Sequence, residues 1–265
     1  MVSDAAILYP SRFLHALATS SGIPGHRINR RVLRAFQEIV VHAGARLTLE
    51  VGAFEASFSR WARETLPEAE VIAFEANPFV HARWKDEVLA AGVDYRNLAV
   101  GPETGPITLH VPRDFDGFDF ARVNQMASLS SNLRTEHTEP VEVQCVRLDD
   151  VVPPDDRPLA VWIDVEGATE VVIAGSEKTL RRAAAVYIEV ENTTIWDGQW
   201  LDRDVLRWFG EIGMVPVLRD VQRDFQYNLV FVSAALAADP WVVELAARTY
   251  RRGPLLPQDD QAEDD

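Results

Sequence analysis

Apolar residues near the start of the chain recur every three or four positions. This spacing predicts amphipathic helices over residues 11–18 and 29–43. Asn29 is expected to cap the second helix and Gly44 to end it, because these residue types favour those positions. The pattern therefore predicts an N-terminal helical segment over residues 1–45.

Beyond this segment, short apolar runs alternate with stretches of helical spacing. Strands that alternate with helices predict a parallel sheet joined by right-handed crossovers. The last two apolar runs have no helical stretch between them, which predicts an antiparallel pair at the end of the sheet. The predicted strands are 46–51, 70–75, 94–100, 159–165, 185–190, 215–218 and 228–233, and the main helices are 56–65, 78–91, 170–182 and 204–211.

A long irregular segment, 112–139, lies between two further predicted strands, 107–111 and 141–146. A connection of this length inside a domain is more often functional than idle. Residues 124–131 mix small polar and apolar side chains. They predict either a lid over a substrate or a mobile surface loop.

Composition limits the class of protein. A chain of 265 residues with 47% hydrophobic residues suits one large domain, expected over 46–257. No apolar run approaches the ~18 residues needed to span a bilayer. The chain also has no signal-like start, and Cys145 is its single cysteine. These features favour a cytoplasmic protein without disulfides.

The chain is strongly acidic, with a formal net charge of -15. Residues 258–265 predict a disordered, solubilising tail that is rich in carboxylates. The rest of the chain is acidic too. Nucleic acid and anionic membranes are therefore not expected as partners, because both attract clustered lysine and arginine.

The sharpest local feature is the turn at Glu50–Ser57, followed one strand later by Glu75. Gly52 comes directly after a buried strand, where the chain turns into a helix and the backbone can approach a ligand closely. In doubly wound sheets, ligands bind at the carboxyl ends of the strands. Glu75 is therefore placed to accept hydrogen bonds from both hydroxyls of a ribose.

The charge of the turn distinguishes between two nucleotides. A dinucleotide site needs Gly-x-Gly-x-x-Gly to hold pyrophosphate, whereas this turn has one glycine and carries Glu50 and Glu55. S-adenosylmethionine (SAM) has no phosphate and carries a sulfonium and an ammonium group, which acids attract. The turn thus favours SAM over NAD.

Several segments in the same order resemble the FkbM family of SAM-dependent methyltransferases. They are Glu50-Val-Gly-Ala, Ala73-Phe-Glu-Ala-Asn-Pro, Asn97-Leu-Ala-Val-Gly, Val146-Arg-Leu-Asp-Asp and, most specifically, Ile163-Asp-Val-Glu-Gly. The chain departs from the family loop, which continues Asn-x-Gly, at Phe54 and Ala56. Glu50 also replaces the family's aspartate, and it adds one methylene to the carboxylate that would meet the SAM amino group.

The resemblance implies an α/β, Rossmann-like class I methyltransferase fold with a mostly parallel sheet and an antiparallel C-terminal strand. It also implies O-methylation of a sugar or natural-product hydroxyl. The resemblance and the strand ends together give the expected SAM-binding residues, which are Glu50, Gly52, Ala53, Phe54, Glu75, Ala76, Asn77, Ala99 and Asp164.

An alcohol acceptor has to lose its proton, so a base is expected near the methyl position. Asp164 and Glu166 follow the fourth core strand and are expected on one face of it. Asp164 is the preferred base, and the alternative is that one of the two carboxylates caps the next helix. His137, in the long segment, is a further candidate base.

Other acids and aromatic residues leave two questions open. Glu189, Glu191 and Asp149 could join Asp164 and Glu166, and clustered oxygens suit Mg²⁺ or Mn²⁺. Acids at strand ends are common, however, so a divalent metal is not favoured. Trp196 and Trp200 predict either a sugar-stacking surface or ordinary packing.

The competing functions are a non-catalytic binding module and, with less support, a NAD-dependent oxidoreductase.

Overall fold

The computed structural model describes residues 3–115, 118–119 and 121–252, so the acidic tail at 258–265 lies outside it. The helices are α1 (Asp4–Ser20), α2 (Gly25–His42), α3 (Ser57–Thr65), α4 (Pro78–Ala90), α5 (Leu148–Val151), α6 (Thr169–Ala174), α7 (Glu177–Arg181), α8 (Asp202–Glu211), α9 (Ala234–Ala237) and α10 (Pro240–Thr249). The strands are β1 (Leu47–Val51), β2 (Glu70–Phe74), β3 (Asp94–Arg96), β4 (Ala99–Val100), β5 (Gly105–Pro112), β6 (Asp114–Phe115), β7 (Phe118–Asp119), β8 (Thr138–Val146), β9 (Leu159–Ile163), β10 (Ala183–Glu191), β11 (Met214–Arg219) and β12 (Gln226–Ser233).

Within the described residues, seven strands form the central sheet in the order β11-β12-β10-β9-β1-β2-β3. The five strands from β10 to β3 pair in parallel, and Leu47 of β1 lies between Glu70 of β2 and Leu159 of β9. β12 runs antiparallel to both β10 and β11. The sheet confirms the expected Rossmann-like fold with a mostly parallel centre and an antiparallel strand near its end.

Helices cover both faces of the sheet, which explains why the central strands are apolar throughout. On one face, α2 buries residues at helical spacing, including Val32, Phe36 and Val40, and α10 packs beside it. On the other face, α6, α7 and α8 bury residues such as Val172, Leu180 and Phe209. The functional edge of the sheet is therefore set by the points where the buried strands end.

The third predicted strand, 94–100, is wrong as a single element. The chain bends at Asn97, whose side-chain amide donates to the carbonyl oxygens of Glu75 at 2.8 Å and Ala76 at 3.2 Å. β3 therefore stays in the central sheet, whereas β4 pairs with β8 in a second sheet that also contains β5. This bend turns the chain toward the carboxyl ends of β1 and β2.

Two helix predictions also change. The helix predicted over 170–182 divides into α6 and α7 at Gly175, where an added Cβ would lie 1.9 Å from the carbonyl oxygen of Gly101. Asn29 does not cap α2, which begins four residues earlier. Its side-chain oxygen instead accepts the N–H of Val221 at 3.0 Å. Gly44 does follow the end of α2, in the left-handed conformation.

Candidate functional site

An open cavity of about 810 Å³ lies where β1, β2, β9 and β10 end. This is the edge at which parallel sheets bind ligands. In the described part of the chain, Asn77 and His137 are not among its lining residues. The sequence-predicted residues that do line it are Glu50, Gly52, Ala53, Phe54, Glu75, Ala76, Ala99, Asp164 and Glu166.

Gly52 lies where two loops touch through their backbones. Its φ is +78°, and an added Cβ would lie 1.7 Å from the carbonyl oxygen of Asp164. The amide of Asp164 in turn donates to the carbonyl of Val51 at 2.9 Å. Glycine is therefore required for contact between the β1 and β9 loops, in addition to any close approach of a ligand.

The two departures from the FkbM loop occur at left-handed positions. Phe54 has φ +46° and Ala56 has φ +56°, a region that asparagine and glycine occupy more easily than other residues. The loop is fixed by other contacts. Phe54 donates its N–H to Glu75, its carbonyl accepts from the Tyr95 hydroxyl, and its ring packs edge-on against Trp84. The chain therefore keeps a glycine-type turn without the family's residues.

The left-handed turn can be tested at Ala56, which is fully buried. Ala56→Gly should change the free energy of unfolding by less than about 1 kcal/mol, since relief of strain offsets a lost buried methyl and a freer unfolded chain. Ala56→Val should destabilise the protein by about 2 kcal/mol or more, because a β-branched residue is strained at positive φ and overfills the site. Urea denaturation measures both, and equal stability of the two variants would contradict the turn conformation.

Glu75 presents a buried carboxylate at the end of β2. Its Oε2 accepts the N–H of Phe54 at 2.8 Å, and its Oε1 accepts the N–H of Asn77 at 2.6 Å. A carboxylate has about four acceptor sites, so two remain for other donors. Burial raises the pKa of Glu75 to about 7, against the opposing effect of the two backbone donors. Glu75 can therefore accept two ligand hydroxyls at the cavity wall.

Glu50 lines the cavity but has a structural partner. Its Oε2 accepts the N–H of Ser59 at 2.8 Å and its Oε1 that of Phe58 at 3.3 Å, so it satisfies the first turn of α3. Burial raises its pKa to about 7. The expected contact with the SAM amino group would thus have to share a carboxylate that already caps a helix.

Asn77 also serves a helix rather than the cavity. Its side-chain oxygen accepts the N–H of Phe79 at 3.0 Å, which caps α4, and its amide donates to the carbonyl of Arg122. Its own N–H binds Glu75. The structure therefore places Asn77 behind the carboxylate of Glu75, where it positions that group.

Three further carboxylates converge in the same cavity, where β9 and β10 end. One side-chain oxygen from each of Asp164, Glu166 and Glu189 lies within 4.8 Å of the other two. Asp164 follows β9, Glu189 lies in β10, and Glu166 reaches the group from a left-handed position with φ +49°. Asp164 and Glu166 therefore meet through a turn, and not through the strand alternation expected from the sequence. We call Asp164, Glu166 and Glu189 the acidic trio.

The three carboxylates of the acidic trio all have raised pKa values. Burial raises the pKa of Asp164 to about 6. Burial and the charges of the neighbouring acids raise the pKa values of Glu166 and Glu189 well above their usual range, while Arg223 acts in the other direction on Glu166. Like charges this close cannot all be ionised. Asp164, whose pKa is raised least, is therefore the member that ionises most readily.

A comparison with known proteins establishes the family. Residues 38–228 match the model of the methyltransferase FkbM domain. The chain belongs to the FkbM methyltransferase family. It is 27% identical over 174 residues to the 2-O-methyltransferase NoeI of Sinorhizobium fredii (strain NBRC 101917 / NGR234). The aligned region covers 60% of this chain and 68% of that protein.

Solved methyltransferases are also similar to this FkbM-family chain. A putative O-methyltransferase from Klebsiella pneumoniae is 15% identical, with a TM-score of 0.40 over 86% of this chain and 100% of that one. The 1,6-didemethyltoxoflavin-N1-methyltransferase of Burkholderia thailandensis was solved with S-adenosylhomocysteine bound. It is 11% identical, with a TM-score of 0.36 over 88% of this chain and 91% of that one. In the described ranges, none of the helices combines the length and the apolar character that crossing a membrane requires.

Two candidates lie elsewhere in this FkbM-family chain. His137 is 75% exposed and pairs with Asp114 at 2.6 Å, which raises the pKa of His137, and it lies outside the cavity lining. Asp149 accepts the N–H groups of Lys178 and Thr179, so it caps α7 and does not join the acidic trio. Neither position brings a side chain to the cavity.

Of the two alternatives for Trp196, sugar stacking or ordinary packing, the structure supports packing. This side chain is only 1% exposed, and it packs where an added Cβ on Gly167 would clash with its ring. Glu191, which follows Glu189 by two residues, accepts from the Gln199 amide at 3.2 Å. Trp196 is therefore a packing residue that fixes the turn after the acidic trio.

The long segment covers part of the cavity. Residues 123–129 line it, and Ser128 exchanges two backbone hydrogen bonds with His110 of β5, at 2.8 and 3.0 Å. Asn124 donates to the carbonyls of Pro112 and Ala121. The segment is thus tied to the second sheet, a packing that favours a fixed wall over a free surface loop.

Sequence reasoning missed three lining residues, two in the connection from β11 to β12 and one at the start of β12. They are Gln222, Arg223 and Gln226. No motif marks this connection, and it lies about 60 residues after Asp164 in the chain. The antiparallel placement of β12 beside β10 brings it to the acidic trio. A polar cluster between two predicted antiparallel strands was the available signal.

Proposed function

We propose that this chain is a SAM-dependent O-methyltransferase that acts on a hydroxyl of a sugar or another small molecule. One observation carries the proposal. Glu75 and the acidic trio line the same cavity, at the ends of β2 and of β9 and β10. Glu75 can hold a ribose, and the acidic trio can orient and deprotonate an alcohol. Family membership and the similarity to a 2-O-methyltransferase support the reaction class.

The cofactor end of the cavity fits SAM by its charge. Glu50, Glu55 and Glu75 line the cavity, and Arg223 is the one basic residue in the lining that the described residues form. Such a wall repels pyrophosphate and attracts a sulfonium or ammonium group. Gly52, Ala53, Phe54, Ala76 and Ala99 would shape the rest of this end. When bound, SAM supplies an activated methyl group on a positively charged sulfur.

The acceptor end needs a group that takes a proton. Asp164 is the most readily ionised member of the acidic trio, and its pKa of about 6 is close to the working range of a general base. Its carboxylate would accept the hydroxyl proton as the new C–O bond forms. Protonated Glu166 and Glu189 can still donate to the acceptor and orient it.

We further propose that the acidic trio works without a divalent metal. Three oxygens at this spacing resemble a set of ligands for Mg²⁺. Protons on Glu166 and Glu189, together with the charge of Arg223, already reduce the repulsion among the three carboxylates of the acidic trio. Turnover should therefore be the same before and after dialysis against a chelator.

The cofactor half of the proposal is tested at Glu75. Glu75→Gln keeps the shape of the side chain and removes the charge, and it should weaken SAM binding roughly 10- to 150-fold, the equivalent of losing 1.5–3 kcal/mol. Calorimetric titration of SAM measures the effect. The matched control is Glu70→Gln at the opposite end of the same strand, where the side chain is exposed and pairs with Arg157.

Melting temperatures of both variants show whether they are folded. Loss of affinity in the Glu75 variant alone supports the proposed ribose contact. Wild-type affinity in a folded Glu75 variant would remove this residue from the cofactor site.

A further inference from the structure

A second cavity, of about 730 Å³, adjoins the first. It lies between α1, the start of α8 and the connection from β11 to β12. Gln222 and Arg223 line both cavities. A ligand in the acceptor end of the first cavity can therefore extend into the second past these two residues.

The second cavity is cationic in a chain of net charge -15. Among the described residues, four arginines line it together with two aspartates, Asp202 and Asp224; the arginines are Arg12, Arg203, Arg219 and Arg223. The two acids offset two of these four charges and leave about two positive charges. His15 also lines the cavity, and burial followed by the charge of Arg219 lowers its pKa. His15 therefore adds no charge near neutral pH.

Arg219 is held rigidly at the base of this cavity. Its guanidinium lies 3.4 Å from the centre of the Tyr227 ring, and its Nη1 donates to the Ser11 hydroxyl at 2.7 Å. The Nε of Arg219 is buried and has no partner among the described residues. Tyr227 is fixed in turn by a 2.7 Å hydrogen bond to Asp202. A fixed arginine loses little freedom when it binds an anion.

The other arginines are available to a ligand. Within the part of the chain that the structure describes, Arg12 makes no ion pair, and the Arg203 guanidinium has one carboxylate nearby, that of Asp204 at 3.8 Å. Both side chains are on the exposed side of the cavity. The cavity thus combines one half-buried, preorganised guanidinium with exposed arginines.

We propose that the second cavity binds a phosphate group carried by the acceptor, while a hydroxyl of the same molecule reaches the acidic trio. This inference rests on the proposed function, because it names the class of acceptor for that site. A phosphate monoester carries a charge of about -1.5 to -2 at pH 7 and three strong acceptor oxygens, which match two uncompensated positive charges and several guanidinium donors. A neutral sugar would leave about two of these positive charges uncompensated.

The direct test is binding of inorganic phosphate to the full chain. Phosphate is titrated by calorimetry against sodium chloride of equal ionic strength, because salt screens exposed charges. Phosphate should bind and chloride should not. The double variant R12Q/R203Q should weaken phosphate binding about tenfold or more.

The matched control is Arg207→Gln, also on α8. Arg207 is as exposed as Arg203, at 44% against 47%, but it pairs with Asp4 and Asp204 outside the cavity. It should leave phosphate affinity unchanged. No phosphate binding beyond that of chloride, or an equal loss in the Arg207 variant, would overturn the inference.

SAM affinity is measured in the same samples, so that the two proposals fail separately. SAM binding without any phosphate response overturns only the phosphate site, whereas failure to bind SAM contradicts the proposed function itself. A panel of sugar phosphates with labelled SAM then tests the acceptor. Label should enter the intact panel and not the same panel after phosphatase treatment, and equal labelling of both would overturn the proposal.

Discussion

Replacing Asp164 with asparagine should lower turnover by about 10²–10⁴-fold and leave SAM affinity near the wild-type value. The range is the usual loss when acid–base help is removed. Asp164 is the most readily ionised member of the acidic trio, and asparagine keeps its size but cannot take a proton. Glu75, which would hold the cofactor, lies at the end of a different strand. The two effects should therefore separate.

The measurement compares single-turnover rates and calorimetric SAM affinity for wild type and variant. In the wild type, kcat/KM should fall as the pH drops through about 6, since protonation of Asp164 removes the base. The control is Asp150→Asn, which makes the same chemical change at a 59% exposed side chain outside the cavity. Normal turnover of the Asp164 variant would show that this residue has a structural role. Loss of SAM binding would contradict the assignment of Glu75 to the cofactor and of the acidic trio to the acceptor.

Gly52→Ala should destabilise the protein by about 3 kcal/mol or more and abolish tight SAM binding. An added Cβ would lie 1.7 Å from the Asp164 carbonyl oxygen, so the β1 and β9 loops would have to separate. A left-handed backbone adds strain for any residue with a Cβ. Because Asp164 itself lies on the displaced loop, turnover should be lost with stability.

Gly44→Ala provides the matched control for this variant. Gly44 has a similar φ of +64°, but an added Cβ there meets nothing within 4 Å. It should cost about 1 kcal/mol, from backbone strain alone. Denaturant unfolding measures both variants, and equal destabilisation would show that the contact between the two loops is unimportant.

The position of the cavity was predictable because each buried parallel strand is a short apolar run, and the end of such a run can be located in the sequence. Gly52, Glu75 and Asp164 each come directly after an apolar run, and runs of this kind end at one edge of the sheet. Family segments identified the same positions independently. Local pattern and motif therefore agreed on the carboxyl ends of three strands.

What the sequence did not predict depends on contacts between distant segments. The break at Gly175 exists because Gly101 lies against it, and the bend at Asn97 exists because its amide reaches the carbonyls of Glu75 and Ala76. Neither contact leaves a recognisable pattern in the residues that neighbour it in the sequence. The same is true of Arg223, which reaches the acidic trio only through the antiparallel strand that follows it.

Side-chain roles were harder to predict than positions. Glu50 was expected to face a ligand, but its two oxygens accept from the first turn of α3. Asn77 was expected in the cofactor site, but it caps α4 and contacts Glu75 from behind. Both residues follow or end a strand, where a helix start and a ligand compete for the same polar group. Sequence position alone cannot separate these uses.

Calorimetric titration of the full chain with SAM, S-adenosylhomocysteine and NAD tests the central claim most directly. The cavity pairs an acidic wall with a buried carboxylate at the end of β2, and its left-handed turn has no glycine-rich pyrophosphate cradle. SAM and S-adenosylhomocysteine should therefore bind at one site per chain, and NAD should not bind. Binding of NAD in preference to SAM, or binding of none of the three, would contradict the proposal that this chain is a SAM-dependent methyltransferase.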